Sequence, residues 1–166
     1  MVIVALDVGQ ARIGVAVSDE SELIASPHSV IRRTSNAAAF DAVARVVRET
    51  GAGMLVVGLP ISLDRQEHNQ AQSVRTFAEK LRARLRLPLV YADETLSTWK
   101  AEEMLRAAGV RPDRIRERID AAAASVILQD YLDERRRGRA SASPAQPDLD
   151  DTTPAPSAGD DATEPL

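Results

Sequence analysis

The stretch MVIVALDVGQARIGVAVSDE (residues 1–20) decides the fold. It begins with VIVAL at 2–6, a continuous aliphatic run that is typical of a central strand, and this run leads directly to an acid, Asp7. After a short turn, RIGVAVSD at 12–19 alternates larger aliphatic residues with smaller ones, as a strand paired with the first would do. The segment therefore predicts an antiparallel hairpin whose first strand carries an aspartate at its carboxyl end.

The rest of the chain predicts a third strand and then alternating helices and strands. Pro27 favours an edge position for the third strand, because proline cannot donate a hydrogen bond to a neighbouring strand. Three antiparallel strands followed by strand–helix units indicate an α/β protein with a mixed five-stranded sheet and helices on both faces. The predicted elements after the hairpin are a strand at 22–31, a helix from Thr34 or Ser35 to Gly51, a strand at 54–60, a helix at 69–86, a strand at 87–94, a helix from Leu96 or Ser97 to Gly109, a basic linker at 110–118 and a last helix at 119–132.

Composition divides the chain into a body and a tail. Residues 139–166 are rich in Pro, Ala, Ser, Thr and Asp and have almost nothing to bury, so this acidic segment is expected to stay disordered. It holds six acids and one base, which leaves 19 acids and 20 bases in residues 1–138, although the whole chain has a net charge of −4. We therefore expect one folded domain at 1–138, whose charge of about +1 permits a polyanionic partner. The tail is expected to be a solubilising appendage, and competition with the substrate for a basic face is the alternative.

Several classes of protein are disfavoured by what the sequence lacks. There is no cysteine, so neither a disulfide framework nor a thiolate metal site is expected. Asp7 interrupts the first apolar run and no basic segment precedes it, which disfavours a secretory signal. No apolar stretch approaches the roughly 18 residues that a membrane span requires. We expect a soluble, cytoplasmic protein with no membrane partner.

Acids from three distant parts of the sequence are predicted to meet at one edge of the sheet. Asp7 ends the first strand, Asp93 and Glu94 end the last strand, and Asp120 lies in the first turn of the predicted final helix. Ligands of open α/β sheets gather outside the carboxyl ends of the strands. Carboxylates that are brought close together cannot all stay ionised without a cation, and oxygen-only ligand sets suit Mg²⁺ or Mn²⁺. Since paired ions of this kind commonly promote attack on phosphodiesters, the pattern predicts a metal-dependent nuclease.

Two of these acids also have simpler structural explanations. Asp93 can cap the helix that follows it, and Asp120 can stabilise its helix from a position in the first turn. Asp7 is harder to explain in this way, because an acid that ends a buried strand needs a partner.

Basic residues near the acids are candidate contacts for nucleic-acid phosphates. Arg12 follows the first turn and is expected near Asp7, where a surface ion pair is the alternative. Lys100 lies one turn beyond Glu94 and is a weaker candidate. A run of arginines precedes Asp120 and fits a phosphate backbone, although such runs are often only solvated faces. These arginines are Arg111, Arg114, Arg116 and Arg118.

Four motifs occur in a recognisable order along residues 1–135. They are DVGQARIGVAVSD (7–19), VVGLPISLD (56–64), YADETLSTWKAEEML (91–105) and IDAAAASVILQDYLD (119–133). In this order they resemble the YqgF/RuvX family of ribonuclease-H-like proteins, which are related to Holliday junction resolvases and named as pre-16S rRNA nucleases. The resemblance implies a ribonuclease-H-like fold, and it places the family's strand-one aspartate, strand-end glutamate and final-helix aspartate on Asp7, Glu94 and Asp120.

Two positions depart from the family pattern. Thr95 stands where the family commonly has an arginine, and Asp64-Arg65 stands where Asp-Gly is common. Both changes bear on substrate handling rather than on the three carboxylates, and Arg12 or Lys100 would have to replace the missing phosphate contact.

The resemblance implies an endonuclease that processes the 5′ end of pre-16S rRNA. It also fits a Holliday junction resolvase acting on branched DNA, for which a homodimer would place two sites on a two-fold junction. In either case Gly9 and Gly14 of the hairpin are expected to leave room for a phosphate backbone. Two other classes stay open, a non-catalytic nucleic-acid-binding module of the same fold and a kinase-like ATPase, whose phosphate loop also carries an aspartate followed by spaced glycines. The second is disfavoured, because that fold needs two such domains and the body is long enough for one.

Overall fold

Five strands form one mixed sheet, as predicted. The computed structural model describes residues 1–60, 65–95 and 97–141, without the side chains of 65–68. The strands follow the spatial order β3-β2-β1-β4-β5, in which β1–β2 and β2–β3 are antiparallel and β1–β4 and β4–β5 are parallel. The elements are β1 (Ile3–Val8), β2 (Arg12–Ser18), β3 (Ala25–Arg32), α1 (Asn36–Thr50), β4 (Met54–Leu59), α2 (Arg65–Leu85), β5 (Leu89–Asp93), α3 (Ser97–Ala107) and α4 (Pro112–Ser141).

The two faces of the sheet are covered by different helices because successive side chains of a strand point in opposite directions. Val4 and Leu6 of β1 pack into a core with α1 and α2, whereas Ile3 and Ala5 pack against α4 on the other face. Helix α3 packs on α4, where Ala101 contacts a cluster that α4 completes. Helices therefore lie on both faces, as expected. No helix in the described ranges is long and apolar enough to cross a membrane.

The predicted local signals place the first helix and the edge strand correctly. Ser35 caps α1 by accepting a hydrogen bond from the Ala38 N–H, and Gly51 ends it in the left-handed conformation with a φ of 68°. Strand β3 lies at the edge of the sheet and carries Pro27 there, opposite Ala16, next to an irregularity in the register.

The predicted basic linker at 110–118 is wrong, because α4 already begins at Pro112. Proline suits the first position of a helix, and the turns that follow pack Ile115 and Ile119 against the α3–α4 cluster. Asp120 consequently lies in the third turn of α4 rather than the first, so stabilisation of a helix start does not explain it. At the other end α4 continues to Ser141, so the prediction of a disordered tail from 139 is wrong for residues 139–141, and its remainder, 142–166, lies outside the described residues.

Helix α2 begins at Arg65, four residues before the predicted start. Its buried face, which includes Val74, Phe77 and Leu81, packs into the core on the α1 side of the sheet. Of the two departures from the family pattern, Asp64 lies outside the described residues, as does the side chain of Arg65.

Candidate active site

Strand alternation decides which acids face α4. Asp7 follows Ala5 on the face that packs against α4, and Glu94 follows Val90 and Ala92 on that same face. The Glu94 N–H donates to the Leu59 carbonyl at 3.1 Å, so Glu94 continues the pairing of β5 with β4 beyond the last strand residue. Asp7 and Glu94 therefore point to the same side of the sheet, at its carboxyl edge.

Asp93 points to the opposite side and is exposed. Its Oδ1 accepts hydrogen bonds from the backbone N–H of Thr95 at 2.8 Å and from the Thr95 hydroxyl at 2.5 Å. Asp93 thus stabilises the turn before α3 rather than capping the helix, because Thr95 precedes the first residue of α3. Thr95, which replaces the family's arginine, is engaged in this turn.

Gly58 of β4 gives the carboxyl groups of Asp7 and Glu94 the space to meet. It lies on the strand between theirs, and a Cβ atom at this position would be 2.9 Å from Oε2 of Glu94. The same Cβ would be 2.8 Å from Cδ1 of Ile127 on α4. Any larger residue would push the Glu94 carboxyl away from Asp7.

Gly14 of β2 leaves the space that the backbone of Asp120 occupies. It pairs with Asp7 across the hairpin, and a Cβ atom on it would overlap the backbone carbonyl of Asp120. The expectation that Gly14 leaves room for a phosphate backbone is therefore wrong, because the backbone of α4 takes that room. Gly9 is tight for a different reason: its N–H donates to the Arg12 carbonyl at 2.9 Å, which closes the hairpin turn.

The arrangement makes Asp7 difficult to ionise. Burial, followed by the nearby negative charge of Asp120, raises the pKa of Asp7 from its ordinary value of 3.8 to about 6, and a hydrogen bond with Glu94 opposes this shift. Asp7 therefore interacts with both of the other predicted site acids. A buried carboxylate with a raised pKa beside further acids is typical of a functional site.

Arg12 forms an ion pair with Asp120. Its Nε lies 2.8 Å from Oδ2 of Asp120, and the two side chains are 51% and 24% exposed. Arg12 thus lies near the acids, where a phosphate contact was expected, and it also forms the ion pair that was the alternative.

The donor set suits a divalent cation in its chemistry. The three acids supply only oxygen, and a cation beside Asp7 would remove the cost of ionising it. As the side chains stand, no three Asp, Glu, His or Cys residues in the described part of the chain form a group that could hold a metal ion. Arg12 would have to release Asp120 before all three carboxylates could face two neighbouring metal ions.

The predicted basic residues fall into three groups. Arg12 and Arg116 line a cleft of about 390 Å³ with Asp120, between β2–β3 and the start of α4. Lys100 lies elsewhere, 3.0 Å from Asp130, in a cleft between the end of β5 and α4. The remaining arginines are exposed on α4 or just before it: Arg111 pairs with Asp113, Arg114 pairs with Glu117, and Arg118 is exposed.

Two residues that belong to this site were not predicted from the sequence. Arg32 pairs with Arg12 across β2–β3 and lines the same cleft beside Asp120. Its signal was the Arg32-Arg33 pair at the end of the third predicted strand. Gly58 had a signal too, as a glycine inside an otherwise aliphatic strand, which marks a close approach of another group.

A family model described as RuvX, Holliday junction resolvase, matches residues 1–134. The chain belongs to this family. Among its relatives, a protein of Chloroflexus aggregans is 46% identical over 134 residues, which cover 81% of this chain and 94% of the relative. A protein of Chloroflexus aurantiacus is 44% identical over 135 residues, which cover 81% and 88%. Both carry the provisional name pre-16S rRNA nuclease.

Solved structures share the fold of this RuvX chain. RuvC of Thermus thermophilus in complex with a Holliday junction substrate aligns with a TM-score of 0.56 at 16% identity, covering 82% of this chain and 96% of RuvC. The fowlpox virus resolvase bound to Holliday junction DNA aligns with a TM-score of 0.51 at 11% identity, covering 81% and 99%. These likenesses confirm the predicted ribonuclease-H-like fold. The family and the names of the relatives confirm the predicted class, a nuclease that hydrolyses phosphodiester bonds.

Proposed function

We propose that this RuvX chain is a Mg²⁺- or Mn²⁺-dependent endonuclease that cleaves pre-16S rRNA near its 5′ end, in the cytoplasm where ribosomes are assembled. The observation that carries the proposal is the meeting of three acids: the half-buried Asp7 lies beside both Glu94 and Asp120, and burial and the charge of Asp120 raise its pKa to about 6. A fold has no need of three converging acids, whereas metal-assisted phosphodiester cleavage does. The names of the relatives supply the choice of substrate.

The roles of the residues follow from their positions. Asp7, Glu94 and Asp120 would hold the metal ions, with Asp7 in the shared position because it interacts with both other acids. When bound, the ions supply an activated water and neutralise charge on the departing oxygen. Arg12 is half exposed, so it is able to leave Asp120 and contact a substrate phosphate. Arg32 and Arg116 lie in the same cleft and would guide the phosphate backbone toward the acids.

Holliday junction cleavage is the second candidate function. The description of the family and the junction-bound complexes of RuvC and the fowlpox resolvase favour it. This function would require a homodimer, so that two sites act on the two halves of one junction. A non-catalytic binding module is disfavoured, because all three carboxylates are present and brought together.

The test compares Asp7→Asn with wild type in Mn²⁺ on two substrates, a pre-16S rRNA fragment and a four-way DNA junction. We expect wild type to cleave the RNA faster than the junction, and Asp7→Asn to lose about a thousandfold in rate while remaining folded by circular dichroism. Asp41→Asn is the matched control, because Asp41 is an exposed acid on α1. Equal rates for Asp7→Asn and wild type would refute the proposed site.

A second experiment separates the two substrates in cells. Depletion of the protein is expected to leave precursor sequence at the 5′ end of 16S rRNA, which end mapping detects. Normal ends accompanied by sensitivity to DNA damage would instead assign the protein to junctions.

We also propose that the nuclease domain, predicted at 1–138, extends to Ser141 at the end of α4, where Arg139 pairs with Glu22, and that the acidic residues 142–166 are dispensable. A chain ended after Ser141, where the described helix ends, should cleave RNA at the rate of the full chain. A faster truncated enzyme would show that the tail competes with the substrate.

A further inference from the structure

A polar cleft lies beside the acids, on the other face of β1. It has a volume of about 500 Å³, within the usual range for small-ligand sites, and it is bordered by the β1–β2 turn and α2. Asp7 faces α4, whereas the next three residues of the chain, Val8 to Gln10, line this cleft on the α2 side. Only the β1–β2 turn thus separates the cleft from the acids, so a nucleic-acid strand that is bound at Asp7 is able to reach the cleft.

Arg33 is held in a fixed orientation in the lining of this cleft. Its Nη1 donates to the Gly9 carbonyl at 2.7 Å, and its Nη2 donates to Oδ1 of Asn36 at 3.0 Å. The guanidinium lies over the ring of Phe77, with its central carbon 4.6 Å from the ring centroid. Phe77 takes one face of this plane, so a planar ligand in the cleft that Arg33 lines would stack on the other face. Unpaired bases stack on arginine in this way.

Amide side chains surround Arg33 in the lining. Asn69 and Gln70 are exposed on α2, one helical turn from the hydroxyl of Ser73, and Gln10 belongs to the hairpin turn. Asparagine and glutamine offer a donor and an acceptor together, which matches the edge of a nucleobase. Among the described residues that line the cleft there is one cation and no carboxylate. The lining therefore suits a polar ligand that carries a negative charge.

We propose that this cleft binds one unpaired nucleotide of the substrate, next to the phosphate that the acids cleave. The proposal rests on the proposed nuclease function and adds a specificity site to it. The base would stack on Arg33 while Asn69 and Gln70 bind its edge. A base that is paired in a duplex cannot enter, so the cleft selects substrates with a single-stranded nucleotide at the cleavage point.

The test uses a fluorescein-labelled single-stranded RNA hexamer, whose binding is followed by anisotropy in EDTA so that no cleavage occurs. The double variant Asn69→Ala/Gln70→Ala should bind the hexamer about tenfold more weakly than wild type, since it loses the paired contacts to one base. Gln72→Ala is the matched control, because Gln72 is an exposed amide of the same helix that does not line the cleft. It should bind within about twofold of wild type.

Cleavage kinetics provide the second readout. The double variant should raise KM for an RNA with an unpaired nucleotide at the cleavage point and leave kcat unchanged, whereas KM for a fully paired RNA should not change. The proposal would be overturned if the double variant bound the hexamer as tightly as wild type does. It would also be overturned if wild type did not bind the hexamer at submillimolar protein.

The two proposals fail in different ways. If Asp7→Asn cleaves normally while the double variant still binds the hexamer weakly, the nuclease assignment fails and the nucleotide cleft stands. If Asp7→Asn is inactive and the double variant binds and cleaves like wild type, the nuclease stands and the cleft is refuted.

Discussion

The two faces of the sheet are packed in different ways. Toward α1 and α2 the strands present large aliphatic side chains, such as Leu6, Val15 and Leu55, which hold those helices at side-chain distance. Toward α4 they also present large side chains such as Ile3 and Val56, but Ala5, Ala16 and Gly14 leave the space in which the backbone of α4 meets β2. The first face supplies most of the core. The second face, where α4 packs closely on the sheet, also positions Asp120 near Asp7.

Gly14→Ala should have the largest effect on stability, because it disturbs the close packing of α4 on the sheet directly. The new Cβ would overlap the Asp120 carbonyl, which is backbone and cannot turn aside, so α4 or β2 must move. We expect a loss of about 3 kcal/mol in the free energy of unfolding, measured by urea denaturation. Gly138→Ala is the control, since nothing lies within 4 Å of a Cβ at that position. A Gly14→Ala protein as stable as this control would show that the two elements are not in contact.

Asp7→Asn tests how much the ionised Asp7 carboxylate, close to Asp120 on the α4 side of the sheet, destabilises the fold. The pKa of Asp7 is raised to about 6, so the folded state binds the proton more tightly than the unfolded chain does. Ionisation of Asp7 therefore destabilises the fold as the pH rises from about 4 to 6, and the full cost is present above that window. Asparagine carries no charge, so the variant should be more stable than wild type by up to roughly 3 kcal/mol at pH 8 in EDTA.

The pH dependence identifies the cause of that difference. Thermal unfolding of both proteins should give the same stability near pH 4, where the carboxyl is protonated, and the gap should open as the pH rises. A gap that is constant with pH would show that packing, not charge, explains it. Added Mn²⁺ should reduce the gap at pH 8, because a bound cation stabilises the ionised form of wild type.

Gly58→Ala should have a small effect on stability and a larger one on activity. Its Cβ would crowd the ends of two side chains, Glu94 and Ile127, which are able to shift at a cost of about 1 kcal/mol. The shifted Glu94 carboxyl would no longer meet Asp7, and such misplacement costs about a hundredfold in rate. Comparing urea denaturation with cleavage in Mn²⁺ checks both parts. Loss of stability without loss of activity would remove Gly58 from the site.

The fold was largely predictable because it rests on local patterns. The aliphatic runs, the helix cap at Ser35 and the proline of β3 each depend on neighbours in the sequence. The start of α4 was not predictable in this way, since Ile115 is an isolated apolar residue among arginines and is partly buried only through its packing against the α3–α4 cluster.

The candidate site was predictable in its acids but not in its glycines. Asp7 and Glu94 both lie at the ends of strands. Because side chains alternate along β5, Glu94 faces α4 and Asp93 faces the opposite side. A glycine inside a strand signals that some group comes close, but which group approaches Gly14 and Gly58 is a tertiary property that the sequence does not record. Asp120 was singled out from its position near the start of the predicted final helix and again by the family resemblance, although its place in the helix was mispredicted.

Arg12→Gln should have the smallest effect on stability, because its ion pair with Asp120 lies outside the close-packed contact. An exposed pair of this kind contributes about 0–1 kcal/mol, so urea denaturation should change by no more than that. Binding should change more clearly. If Arg12 moves to a substrate phosphate, the variant loses one counterion-releasing contact, and the slope of log K against log salt for RNA binding falls by about 1. Lys100→Gln is the matched comparison, since Lys100 lies in a different cleft and pairs with Asp130. An unchanged slope for Arg12→Gln would mean that the arginine stays on Asp120 in the complex and serves only to neutralise it.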